Sequence, residues 1–170
     1  MIDFIELRKE DISRFKKCMQ DSFQYGYESV YGKSSNIILP SKDIDESLNN
    51  KNSYAYEMID NDEIIGGVIV TINNDKHNCL DFLFVKVGVQ SKGIGQTIWK
   101  KIEELYPNTK VWETCTPYFD KRNIHFYVNK LGFHIVEYFN EKNPDPNRPV
   151  DCYEKDDGMF KFEKEMNKDK

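Results

Sequence analysis

The segment Val85-Lys86-Val87-Gly88-Val89-Gln90-Ser91-Lys92-Gly93-Ile94-Gly95-Gln96-Thr97 carries the densest chemical signal in the chain. An apolar strand pattern runs into a glycine-containing loop, and the loop opens a helical pattern. The first turn of a helix leaves backbone N–H groups without partners at the positive end of its dipole. Glycine at that point lets the backbone close on a ligand with no Cβ in the way. Such a place binds phosphate. The segment lacks the Gly-Lys-Ser/Thr of a Walker loop, and Ile98 stands where a dinucleotide fingerprint needs its third glycine. The competing reading is a tight strand-to-helix turn that needs Gly93 and Gly95 for its own geometry.

The elements around this segment follow from periodicity and turn chemistry. Phe4–Leu7 reads as a short strand, and Glu10-Asp11 opens a helix whose apolar stripe is Ile12, Phe15, Met19 and Phe23. A glycine-broken aromatic stretch follows, Phe23 to Tyr27, with Tyr31-Gly32 behind it. Ser41 is the expected N-cap of a short helix through Leu48. A strand meander covers 54–59, 64–72 and 79–87, joined by polar turns rich in Asn and Asp. Residues 93–106 read as a helix, 111–115 as a strand, 118–130 as a helix ended by Gly132, and 133–138 as a strand. The proline-rich segment 141–149 is a loop, and 159–164 is the closing strand. The order is that of an α/β domain with an antiparallel front half and βαβ crossovers behind, and 1–170 is expected to be one domain.

Composition narrows the partners. Lys and Arg total 24 against 29 Asp and Glu, a net charge of −5, so counterion release on a nucleic-acid backbone offers the chain nothing. A cationic small molecule or an exposed amine suits it better. The longest apolar run, Ile64 to Val70, is far short of a membrane span, and Met1–Glu6 has no basic leader region, so a cytoplasmic protein without a membrane role is expected. Cys18, Cys79, Cys115 and Cys152 form no CxxC pair and have no histidine at ligand spacing, which predicts reduced thiols and no metal.

Gln90-Ser91-Lys92-Gly93-Ile94-Gly95 resembles the Gln/Arg-x-x-Gly-x-Gly/Ala signature of the GNAT superfamily, the acetyl-CoA-dependent N-acetyltransferases. Val85 lies where that family has a Val-x-Pro strand end, with Val87 in place of the proline. Phe126-Tyr127 with Lys130-Leu131-Gly132-Phe133 resembles the later Phe-Tyr-x-Lys-x-Gly-Phe element, and the order of strands and helices is similar throughout. The resemblance implies a mixed, mostly antiparallel central sheet flanked by helices and splayed between strands 4 and 5, with the thioester of acetyl-CoA in the gap. It implies that the pyrophosphate rests on Gln90, Ser91, Lys92, Gly93, Ile94 and Gly95, extended by Gln96 and Thr97. Main-chain groups of Val85 and Val87 would hold the pantetheine arm as an added strand.

The same resemblance makes Tyr127 the candidate acid that protonates the CoA thiolate. Of the pair Phe126-Tyr127, Phe126 is then expected in the core. Tyr127 stands five residues before Gly132 where the family has four, and one extra residue turns a helix by about 100°. Asp120 occupies the place of the family's pantetheine-binding asparagine, and Asn123, one turn on, is the candidate substitute. An attacking amine must lose a proton to a base. Glu113, Asp81 and Glu57 lie on strands near or beside the gap, and Glu113 is preferred; each also reads as an outward-facing strand residue. His77, His125 and His134 read as surface or packing residues, with His125 beside the candidate tyrosine. The acceptor site implied is Tyr25, Tyr27, Glu28 and Tyr31, tyrosines and a carboxylate suited to an ammonium. An aromatic lid over the core edge is the equal alternative.

The sequence therefore points to transfer of an acetyl group from acetyl-CoA to a small-molecule or peptide amine by direct attack in a ternary complex. A homodimer is compatible with the family. A non-catalytic acyl-CoA-binding or sensing module is the rival. A toxin that acetylates charged tRNA is disfavoured by the net charge of −5.

Overall fold

The computed structural model describes residues 1–90, 92–147 and 158–166. Ser91, the end of the proline-rich loop and Cys152 lie outside the described residues. The elements run β1 (Ile2–Glu6), α1 (Ile12–Tyr31), α2 (Ser41–Leu48), β2 (Ser53–Asp60), β3 (Glu63–Thr71), β4 (His77–Val85), α3 (Ile94–Leu105), β5 (Val111–Pro117), α4 (Lys121–His125), β6 (His134–Phe139) and β7 (Met159–Glu165). A 3-10 turn at Lys9–Asp11 precedes α1, and α4 continues into a π-helical turn, Phe126–Lys130.

The strands form one sheet in the order β1-β2-β3-β4-β5-β7-β6. Its pairs are antiparallel except β4–β5, which is parallel. This is the expected mixed, mostly antiparallel sheet. The closing strand, last in sequence, inserts between β5 and β6 and pairs with β5 along its whole length.

Local chemistry explains most boundaries. The β2–β3 hairpin turns through Asn61 and Asp62 at φ 50° and 65°, the left-handed pair that a tight hairpin demands and that Asn and Asp tolerate. The aromatic stretch after Phe23 is helical, against expectation: α1 runs unbroken to Tyr31. Phe15 and Met19 are fully buried, and Phe23 packs edge-on to Phe82 of β4 with centroids 6.0 Å apart. That packing outweighs the roughly 1 kcal/mol an interior glycine such as Gly26 costs a helix. Pro40, not Ser41, is the N-cap of α2, and no side chain caps it. The strand expected over 79–87 spans His77–Val85, because Lys86–Val89 close into a turn through a Val89 N–H···O=C Lys86 bond of 3.2 Å.

Two apolar layers sandwich the sheet. On one face α1 and α2 bury Phe15, Met19 and Ile44 against Ile64, Ile69 and Phe84. On the other, α3 and the π turn bury Ile98, Trp99, Ile102 and Tyr127 against Leu80, Trp112, Phe133 and Phe162. The Trp99 and Trp112 rings meet edge to face at 5.0 Å, which fixes α3 across β5. Among the described residues, no helix is long and apolar enough to cross a membrane.

Glu57, one of the candidate bases, has a structural post instead. It is fully buried on β2 and accepts from Arg8 Nε at 3.2 Å, while the same nitrogen reaches Asp11 at 2.6 Å. Arg14 also grips Asp11. Burial raises the Glu57 carboxyl above its ordinary range, and its hydrogen bond with Asp11 adds to this. Asp11 is held low, first by its bond from Arg14. Glu57 and Asp11 share the Arg8 guanidinium, which ties β2 to the start of α1. A raised folded pKa stabilises the fold at low pH and loses that contribution as pH rises through it; a lowered one loses its contribution as pH falls. Glu57→Gln removes the titration and keeps an acceptor for Arg8, so its stability relative to wild type should improve as pH rises and stay within about 1 kcal/mol. Asp11→Ala should destabilise by about 1 kcal/mol, since the half-exposed Arg8 and Arg14 can turn to water and Glu57 keeps its bond from Arg8. Urea melts across pH check both.

Candidate active site

β4 and β5 pair only at His77↔Val111, Asn78↔Trp112 and Cys79↔Glu113. The Thr114 hydroxyl, donating to the Leu80 carbonyl at 2.9 Å, is the last link between them. Beyond it β4 stays on β3 and β5 stays on β7, so the two strands part. The Lys86 N–H bonds Ile65 of β3 at 2.9 Å. By strand alternation the N–H and carbonyl of Val85 face the gap, where Ser22 of α1 donates to that carbonyl at 3.0 Å.

A cleft of about 440 Å³ runs from this gap to the start of α3. Its walls come from α1 (Ser22, Phe23, Gly26), from β4 (Leu83, Phe84, Val85) and from the loop and first turn of α3 (Gln90, Gly93, Ile94, Gly95, Gln96). The far wall is α4 and its π turn: Asp120, Arg122, Asn123, His125, Phe126 and Lys130. Gly93 is the N-cap of α3 at φ 75°, with no side-chain cap and with open space where a Cβ would stand. The first N–H groups of α3 are therefore presented to the cleft. Gly95 answers to a different demand. A Cβ there would lie 2.9 Å from Phe126 Cζ, so this glycine lets α3 close on α4. The phosphate-cradle and tight-turn readings each hold for one of the two glycines.

The expected site residues divide accordingly. Val85, Gln90, Gly93, Ile94, Gly95, Gln96 and Asn123 line the cleft. Val87 lies in the turn after β4, Lys92 is exposed, and neither is on the cleft wall. Thr97 turns back on its own helix, its hydroxyl donating to the Gly93 carbonyl at 3.0 Å. Asp120 lines the cleft and caps α4 by accepting from the Asn123 N–H at 3.0 Å. Tyr27 and Tyr31 of α1 meet Phe119 of the β5–α4 connection, each at 5.4 Å, so an aromatic bridge joins the two sides of the parting. Glu28 is committed to the chain's own turn, accepting from Gln24 at 3.2 Å and the Ser34 N–H at 3.1 Å. Tyr25 is exposed. Ser22 and Gly26, one helical turn apart, escaped the sequence reading because α1 was expected to end before Gly26.

The extra residue before Gly132 is absorbed by the π turn. The Leu131 N–H reaches back five residues to the Phe126 carbonyl at 3.0 Å, and the Phe133 N–H bonds the Tyr127 carbonyl at 2.9 Å. Tyr127 and Phe126 exchange their expected places: Phe126 faces the cleft, and Tyr127 is buried between Phe133 and Phe162. The widened turn keeps Tyr127 pointing inward, beside Thr114 where it links β5 to β4. Burial raises this phenol well above its ordinary range, so it stays protonated.

Across the sheet from Tyr127 stands a group of polar residues. Ile69 pairs with Phe82 and Val70 with Leu80, so Asp81 is the extra residue of a β-bulge. It accepts from Thr71 at 2.5 Å. Burial pushes its carboxyl up to about 6, against the Thr71 bond and helped by the charge of Glu113. Glu113 accepts from His77 at 2.9 Å and from the Cys79 thiol at 3.4 Å, with the Lys161 ammonium 3.5 Å away. Burial raises Glu113, but Cys79, Lys161 and His77 together hold it below its ordinary value. His77, Glu113 and Glu163 present ligand atoms within 4.8 Å of one another, and Lys161 already supplies the positive charge among them. Burial raises the Cys18 thiol to about 11 and Cys79 higher still, which keeps both protonated and unreactive.

A parallel strand pair that parts beside an uncapped helix start, with a cleft joining the two, is the frame of a CoA-dependent acyltransferase. The chain matches the model of the Acetyltransferase (GNAT) family over residues 16–133, and it belongs to that family. It is 41% identical over 173 residues to the uncharacterized protein YrkN of Bacillus subtilis (strain 168), covering 96% of this chain and 94% of that one. In fold it is similar to the PaiA N-acetyltransferase from Thermoplasma acidophilum in complex with coenzyme A, with TM-score 0.69, 16% identity and coverage of 97% and 99%. It is likewise similar to a GNAT family acetyltransferase from Elizabethkingia anophelis with acetyl-CoA bound, with TM-score 0.69, 16% identity and coverage of 97% and 98%. Acetyl-CoA is the cosubstrate of the family's enzymes.

The open space before Gly93 gives the cradle a direct test. Gly93→Glu puts a carboxylate where an anion should sit, and calorimetry should show acetyl-CoA affinity falling by at least about 100-fold. Unchanged far-UV circular dichroism would show that the fold is intact.

Proposed function

We propose that residues 1–170 act as one acetyltransferase domain that moves the acetyl group of acetyl-CoA to a primary amine by direct attack in a ternary complex. The observation that carries this reading is the cleft that joins the β4–β5 parting to the uncapped start of α3. Asp81 is raised toward 6 on one face of the sheet, and Tyr127 is held protonated on the other. Asp81 follows Leu80 in the chain and Tyr127 lies beside Thr114, so both stand near the Leu80–Thr114 contact. The pyrophosphate takes the N–H groups from Gly93 to Gln96, with Gln90 beside them, and the pantetheine amides pair with Val85 in the gap. Asn123 lines the same cleft and is placed to reach pantetheine.

The amine nitrogen attacks the thioester carbon, the C–S bond breaks as the tetrahedral intermediate collapses, and two protons move. Asp81 takes one from the attacking nitrogen, and Tyr127 gives one to the departing thiolate. Glu113, the base preferred from sequence, is already held low by its three partners and suits a supporting role beside Asp81. Asp81, Glu113 and Glu163 make this face acidic around Lys161, a field that draws an ammonium to the site, where it gives its first proton to solvent and attacks as the neutral amine.

A thiol-release assay with a panel of primary amines tests the reading. Asp81→Asn should lower kcat/KM about 100-fold, and Tyr127→Phe should lower kcat by a similar factor with the KM for acetyl-CoA changed less than about twofold. Glu113→Gln should lose less than about tenfold. Because the base must be ionised, wild-type kcat/KM should rise with pH through about 6, and Asp81→Asn should lack that limb. Full loss in Glu113→Gln with Asp81→Asn active would return the base to Glu113. Tight acetyl-CoA binding without transfer to any amine would favour a non-catalytic acyl-CoA-binding module.

A further inference from the structure

The far wall of the cleft is cationic. Arg122 on α4 and Lys130 at the end of the π turn both line it, on either side of Phe126. Neither makes an ion pair within 4.0 Å with a described residue, although the charge of Arg122 reaches Asp120 and works against the burial that raises its carboxyl. Asp120, the acidic side chain among the described residues of the wall, is engaged in capping α4. In a chain of net charge −5, two cations on one cleft wall, with Asp120 as the single carboxylate among its described residues, mark a place for a second anion.

Resting on the acetyl-CoA reading above, we propose that Arg122 and Lys130 grip the 3′-phosphate on the ribose of CoA and make the protein discriminate for it. The phosphomonoester carries close to two negative charges and three acceptor oxygens, and a guanidinium with an ammonium satisfies it by charge-assisted hydrogen bonds. The contact between Phe126 and Gly95 sets the spacing of the two walls. The π turn that absorbs the extra residue before Gly132 is also the turn that ends in Lys130, so the same irregularity brings this ammonium to the cleft.

Calorimetric titration with CoA and with 3′-dephospho-CoA separates the possibilities. Wild type should bind CoA at least about tenfold more tightly. In Arg122→Ala/Lys130→Ala the ratio should fall below about twofold, with affinity for 3′-dephospho-CoA changed by less than about twofold. Lys121→Ala, an exposed cation next in sequence but off the cleft wall, should keep the wild-type ratio. Raising salt should narrow the wild-type ratio and leave that of the double variant unchanged. Equal binding of the two ligands by wild type overturns the proposal. So does an equal loss for both ligands in the double variant, which would assign the cations to the pyrophosphate. Failure of wild type to bind either ligand overturns the acetyl-CoA reading along with it.

Discussion

The parting of β4 from β5 is the constraint on which the site depends, and its cause lies one strand away. β7 pairs with β5 over Val111 to Pro117, while β4 stays bonded to β3. Each strand keeps its outer partner past Cys79 and Glu113, so the two can diverge without either leaving the sheet. The Thr114–Leu80 hydrogen bond fixes where they separate. Beyond that point Val85 has no strand partner on its inward side, where its carbonyl takes only the Ser22 hydroxyl and its N–H faces the gap. An extended amide-bearing ligand is the complement of such an edge.

The helices convert this edge into a cleft. α3 starts at the end of β4 with an uncapped N-terminus, and α4 starts at the end of β5, so both helix starts stand at the open end of the gap. Gly95 sets how closely they approach through its contact with Phe126. On the opposite face, the bulge at Asp81 turns a carboxyl into a half-buried position beside Glu113. The same separation therefore exposes main chain for one ligand and leaves acidic side chains flanking the point where a second would arrive.

Much of this was legible in the sequence where the signal is local. Strand, glycine loop and helix in order located the start of α3, and the five-residue spacing from Tyr127 to Gly132 registered the irregularity that became a π turn. What was not legible depends on partners distant in the chain. The insertion of β7 beside β5 is a pairing across more than forty residues that no local pattern encodes. The exchange of Phe126 and Tyr127 follows from widening one turn, which changes which side chain faces inward without changing the sequence pattern. Three carboxylates on strands looked alike, and only their neighbours separate them: Arg8 and Asp11 around Glu57, Cys79 and Lys161 around Glu113, Thr71 and burial around Asp81. Gly26 read as a helix breaker because the packing of Phe15, Met19 and Phe23 that carries α1 past it is tertiary.

The account's central claim is that acetyl-CoA lies in the β4–β5 gap with its pyrophosphate at the start of α3. Amide hydrogen exchange, followed with and without saturating acetyl-CoA, tests it most directly. The account predicts slowed exchange at the amides of Val85 and Gly93 to Gln96, with β1 and β2 unchanged. Saturable binding that leaves those amides unprotected, or that protects a surface elsewhere, would contradict it.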